Sequence, residues 1–196
     1  MPHHPCRTIK AVEEILLGDK RFPLPGKKAL HDGSLNLTVI VVDASEQRVE
    51  RPHKNSVAAI PARKSAIRQK GQIVIDPLEQ QIVCVATGTG KTHDFALFKR
   101  TRLALLPQIV LLGNTGYQGV DMLHPNSWTP FKKTKLHPLT PKQKQQNRLL
   151  ASCRVTVEHV IRTLKRFRIL SSTYRNRRKR FGLRLNLLAA ITNLHQ

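Results

Sequence analysis

Hydrophobic and polar positions along this chain follow two periods, and the switches between them mark out its elements. Residues 6–17, "CRTIKAVEEILL", place Ile9, Val12, Ile15 and Leu16 at helical spacing. One helix cannot bury such a stripe alone, so the segment reads as the last helix of a larger module. "RFPLPGKKAL" breaks the pattern with Pro23, Pro25 and Gly26 and predicts a linker. "LTVIVVD" at 37–43 is a continuous, β-branched run, the pattern of a buried strand, and it ends in Asp43. "GQIVID" and "QQIVCVA" predict a hairpin turning at "PLEQ". "THDFALFKRTRLALL" at 92–106 returns to helical spacing, with Thr92 or Asp94 as its cap. "QIVLLGN" at 108–114 is a second buried strand, and "NSWTPFKKTKLHPL" is an irregular link with a short edge strand around Trp128.

The clearest signal lies at 139–170, "LTPKQKQQNRLLASCRVTVEHVIRTLKRFRIL". Thr140 can cap a helix, Pro141 suits its first position and Gln143 completes a capping box. Leu150, Cys153, Val157, Ile161 and Leu164 then form a helical stripe. A last apolar segment, "FGLRLNLLAAITNL", predicts a helix packing back on the rest. If strands 37–43 and 108–113 lie parallel and adjacent, their carboxyl ends share the crevice where such sheets bind ligands. The long helix can bring Glu158 to that edge. The arrangement calls for a carboxylate at each of three stations, and the second holds Asn114.

Charge narrows the chemistry. The formal net charge is +22 and the pI near 11, while an apolar content of 40% is that of a globular domain. Such an excess of cations predicts a polyanionic partner, foremost nucleic acid. No apolar run approaches the length of a membrane span and no secretory leader pattern is present. Cys6, Cys84 and Cys153 are odd in number and far apart, which predicts reduced thiols in a cytosolic compartment and no structural zinc. From Met122 to Gln196 there are seventeen Lys and Arg residues and one acid, Glu158. "VCVATGTGKTHDF" at 83–95 invites a phosphate-binding loop, but its first glycine should fall where Val85 stands.

"VVDASE", "VCVATGTGKTHDFALFKRTRL", "LLGNTGYQG", the 139–170 segment and "YRNRRKRFGLRLNLLAAITNL" together resemble the DDE transposases of bacterial insertion sequences, close to the Harbinger-type branch. The resemblance implies an α/β, RNase H-like mixed sheet flanked by helices over 35–196. Residues 1–30 would be the remnant of a helix-turn-helix DNA-binding module and its linker, with only the final helix kept. Three acidic residues of this family hold two divalent metals, Mg²⁺ or Mn²⁺, for strand cleavage and transfer. By position the first is Asp43, the third Glu158, and the second, the acid of a "GDTGYQG" motif, is Asn114. Asp94 resembles a supporting HD element. An amide keeps one neutral oxygen and loses the charge, so metal occupancy and catalysis are expected to be weakened.

DNA is the implied partner, with insertion-sequence ends and target by resemblance, no membrane, and a homo-oligomer possible; the implied location is the bacterial cytoplasm, with the nucleoid. Arg162, Lys165, Arg166, Arg175, Arg177, Arg178, Lys179 and Arg180 are the expected phosphate contacts. Residues 55–70, "NSVAAIPARKSAIRQK", depart from the family's basic strand, which resembles "YSGKKKRHT". A coding strand for SVAAIPARKSAIRQ, read one base upstream, can encode QRSSYSGKKKRHTP, so two compensating frame shifts are expected there. The alternative to an impaired transposase is a noncatalytic DNA-binding remnant that interferes with intact transposase.

Overall fold

A computed structural model describes residues 5–19, 22–50, 67–134, 138–175 and 180–195. The core is a five-stranded sheet of β1 (Val39–Arg48), β2 (Arg68–Ile75), β3 (Ile82–Thr89), β4 (Val110–Gly113) and β5 (Ser127–Trp128), in the order β3-β2-β1-β4-β5. β1, β4 and β5 run parallel, and β2 and β3 are antiparallel to their neighbours. Helices α1 (Pro5–Gly18), α2 (Asp94–Thr101), α3 (Pro141–Leu164), α4 (Arg168–Ser171) and α5 (Phe181–Leu194) complete it. This mixed sheet flanked by helices is the RNase H-like arrangement that the sequence implied.

Alternation along β1 builds both layers. Ile40 and Val42 face a cluster with Leu30, Phe98 and Tyr117 on the α2 side. Val41 faces Val157, Val160, Leu164 and Leu185 on the side of α3 and α5. The predicted hairpin and the last helix, Phe181–Leu194, form as expected. Thr140 caps α3 with the full reciprocal box and Pro141 in the first turn.

Several boundaries differ for tertiary reasons. β1 does not end at Asp43; it continues to Arg48 because β2 pairs with it along its whole length. α2 stops at Thr101 and not near 106, since Arg102 takes a left-handed conformation at φ 47° and Leu103, Leu105 and Leu106 pack as irregular chain. Neither Thr92 nor Asp94 caps it: His93 holds the cap position without a side-chain bond, and Asp94 lies in the first turn, where its charge suits the helix dipole. Cys153 is exposed and Val160 takes a place in the buried stripe of α3. That helix ends at Leu164, before the short α4. Within the stretch read as a linker, Ala29 and Leu30 are buried.

The apolar stripe of α1 is mostly in solvent, with Ile9 50% and Ile15 70% exposed. Its contact with the body runs through Glu13, buried and ion-paired with Arg180 and Arg184 of the α5 region. The "TGTGK" turn has a structural cause. A Cβ on Gly90 would lie 2.5 Å from the Cβ of Arg68, so only glycine lets this turn close on the start of β2. Of the unusual 55–70 stretch, residues 55–66 lie outside the described residues, while Arg68–Lys70 opens β2.

Candidate functional site

Register brings the first two stations together. Val42 pairs with Gly113, so Asp43 and Asn114 are the next residues on adjacent parallel strands, just where that pairing stops. Val41 and Leu112 face α3, and the two-residue period carries Asp43 and Asn114 to the same face. Asn114 donates through Nδ2 to Asp43 Oδ1 at 2.8 Å, and the Ala44 amide donates to the same oxygen at 2.8 Å. The Asn114 side-chain oxygen Oδ1 accepts the Gly116 N–H at 2.6 Å, capping the turn Thr115–Tyr117. Asn is well suited to such a local cap.

The third station comes from α3. Arg154 and Glu158 lie one helical turn apart, the spacing of an ordinary salt bridge. Arg154 instead reaches the sheet and donates through Nη2 to Asp43 Oδ2 at 3.3 Å, with the two side chains only 18% and 13% exposed. Glu158 lines an open groove of about 400 Å³ with Asp43, Ala44, Glu46, Arg162 and Lys165. Asp43, Asn114 and Glu158 therefore gather at one edge. Arg154 is the neighbour of Asp43 that the sequence did not reveal; its only signal was the four-residue offset from Glu158.

Asp94 lies behind this site. A Cβ on Gly116 would come within 2.5 Å of Asp94 Oδ2, so the bare glycine lets the start of α2 close on the Asn114 loop. Its carboxylate is engaged by Lys70 Nζ at 2.6 Å, which also donates to the Thr92 carbonyl at 2.7 Å. Between the acids sits Tyr117, fully buried, its hydroxyl without a hydrogen-bond partner among the described residues. Burial first, then the charges of Asp94 and Asp43, push its pKa up, against the opposing pull of Arg154.

A pair of divalent cations needs several anionic oxygens turned inward. Both Asp43 oxygens are held by donors, and Asn114 turns its NH₂ to Asp43 and its side-chain oxygen to Gly116. Among the described residues no three Asp, Glu, His or Cys side chains converge. This donor set does not fit two metal ions. Of the expected phosphate contacts, Arg162 and Lys165 line the groove, and Arg166 and Arg175 are exposed. Arg180 is turned toward Glu13 at 3.1 Å and Glu14 at 3.6 Å. Arg177, Arg178 and Lys179 lie outside the described residues.

Asp43, Asn114 and the helix that carries Glu158 fall within one family match: residues 42–193 fit the model of the DDE superfamily endonucleases, and the chain belongs to that family. It is also 42% identical over 188 residues to a probable transposase for insertion sequence element IS702 from Microchaete diplosiphon, spanning 96% of this chain and 68% of that protein. No solved structure matches it significantly. Endonucleases of this family are in general divalent-metal dependent. Among the described residues no helix is long and apolar enough to cross a membrane.

Proposed function

We propose that this chain is the DNA-handling domain of an insertion-sequence transposase whose cleavage centre is impaired by Asn114. The observation that carries the reading is the contact of Asn114 Nδ2 with Asp43 at 2.8 Å, where an acid would present a second negative oxygen. Arg154 adds a guanidinium to the other Asp43 oxygen. Both Asp43 oxygens thereby take donors from the protein itself. DNA binding does not need this centre. Arg162 and Lys165 supply cations along the groove, and such contacts hold phosphates without reading bases. Glu158 stands at the same groove as the remaining acidic station. Such a chain works in the bacterial cytoplasm, on the nucleoid.

Nicking of supercoiled plasmid with Mn²⁺ tests the proposal, using the protein as it is and Asn114→Asp. We expect equal DNA binding by both, with strand cleavage roughly a thousandfold faster in the variant, the equivalent of about 4 kcal/mol of transition-state stabilisation. Equal nicking by both proteins contradicts impairment at this position. Silence from both, with DNA still bound, favours the noncatalytic remnant that competes with intact transposase.

A further inference from the structure

Trp128 is the one tryptophan of the chain, and it stands 55% exposed on a strand of two residues. An aromatic ring stabilises a core by the area it buries, so this one contributes little there. Its place is nevertheless fixed. Trp128 pairs with Leu112, which pairs with Val41, and this row faces α3 as Asp43 and Asn114 do. Strand spacing puts its backbone roughly 8 Å from that of Asn114.

The chain beyond Trp128 is held by two side chains from the elements that build the site. Gln118, in the "NTGYQG" loop, donates through Nε2 to the Pro130 carbonyl at 2.7 Å. Asn147, on α3, grips Phe131 from both sides: Oδ1 accepts the Phe131 N–H at 2.9 Å and Nδ2 donates to its carbonyl at 3.0 Å. The Phe131 ring is itself 45% exposed, and the exposed Lys132 and Lys133 follow it. Asn147, Arg154 and Glu158 share one face of α3 within about 40°, with Asn147 roughly 16 Å from Glu158 along the axis. An exposed segment carrying two aromatic side chains and followed by two lysines is thus anchored to the same sheet edge and α3 face as the groove.

The geometry points to Trp128 and Phe131 as a stacking shelf for an unpaired nucleotide of a DNA strand whose phosphates pass Lys132 and Lys133. Any base offers a flat face to such rings, and stacking tolerates all sequences. Duplex DNA keeps its base faces inside the helix. A second copy of the chain is the competing occupant, and its own charge of +22 opposes close approach to this basic edge. The inference rests on the DNA-handling reading and adds a ligand class, single-stranded DNA, that the reading does not itself require.

Because Trp128 is alone, intrinsic fluorescence reports the shelf directly. Titration of the full chain at low salt with a single-stranded oligothymidylate is expected to quench it, and a duplex to leave it nearly unchanged. Anisotropy of a labelled duplex follows the basic groove separately. Trp128→Ala and Phe131→Ala should each weaken single-strand binding roughly tenfold, with duplex affinity kept. Trp128→Phe should retain most of it, and Asn147→Ala, which frees the Phe131 backbone, should lose part. An unquenched Trp128 at saturating single strand, or equal losses on both substrates, overturns the shelf. So does a changed oligomeric state of Trp128→Ala with single-strand affinity intact. Quenching without duplex binding would instead overturn the groove assignment and leave the shelf standing.

Discussion

Asn114 shows how one atom changes what a site can do. Replacing a carboxylate oxygen by NH₂ turns a repulsive neighbour of Asp43 into a hydrogen-bond donor, and the Arg154 guanidinium completes the pairing. Arg154 is therefore a stabilising counter-ion of Asp43. Arg154→Gln should lower stability by about 2 kcal/mol, the usual scale for a hydrogen bond to a charged group. Denaturant unfolding measures it, and a loss no larger than that of an exposed α3 substitution such as Lys142→Gln would show that the contact carries no stability. The meeting of positions 43 and 114 was legible in sequence, because two short apolar strand runs ending at those residues have few ways to pair. The Arg154 contact was not, since it depends on how α3 settles across the sheet. The pairing of Arg180 with Glu13 has the same origin: the two are remote in sequence.

At the level of elements, the capping box of α3 proved a dependable local signal, whereas the Thr92 or Asp94 cap of α2 did not. The Thr140–Gln143 box needs only four consecutive residues, and α3 begins where it says. Endings proved harder to read. β1 runs past Asp43 because β2 supplies partners, and α2 stops early because the leucines after Arg102 find burial without a helix. The "TGTGK" turn separates the two kinds of reasoning most cleanly. Its missing first glycine argued against a phosphate-binding loop, while the reason for Gly90 emerged only from its contact with Arg68. Gly90→Ala should therefore destabilise the fold by about 2 kcal/mol through overpacking. Lys91→Ala, at an exposed position, should stay within about 0.5 kcal/mol of the parent. Thermal unfolding distinguishes them, and a larger loss at Lys91 than at Gly90 would refute the assignment of this turn to sheet packing.

For the molecule as a whole, charge decides which partners come near. A domain of +22 attracts polyanions and repels free divalent cations unless several carboxylates offset its field at one point. At the carboxyl edge of β1 and β4 that offset is incomplete. Asp43 is bound by an amide and a guanidinium, Glu46 is paired with Arg68 and Lys70, Glu158 lines the groove with Asp43 and Glu46, and Asp94 is engaged by Lys70. The proposal of DNA binding beside a weakened metal site rests on this balance. Calorimetric titration of the purified chain with Mn²⁺ examines this most directly, alongside Asn114→Asp under identical conditions. The account predicts no saturable binding by the chain as it stands and saturable binding by the variant. Saturable Mn²⁺ binding by the unaltered chain, abolished by Asp43→Asn, would contradict it.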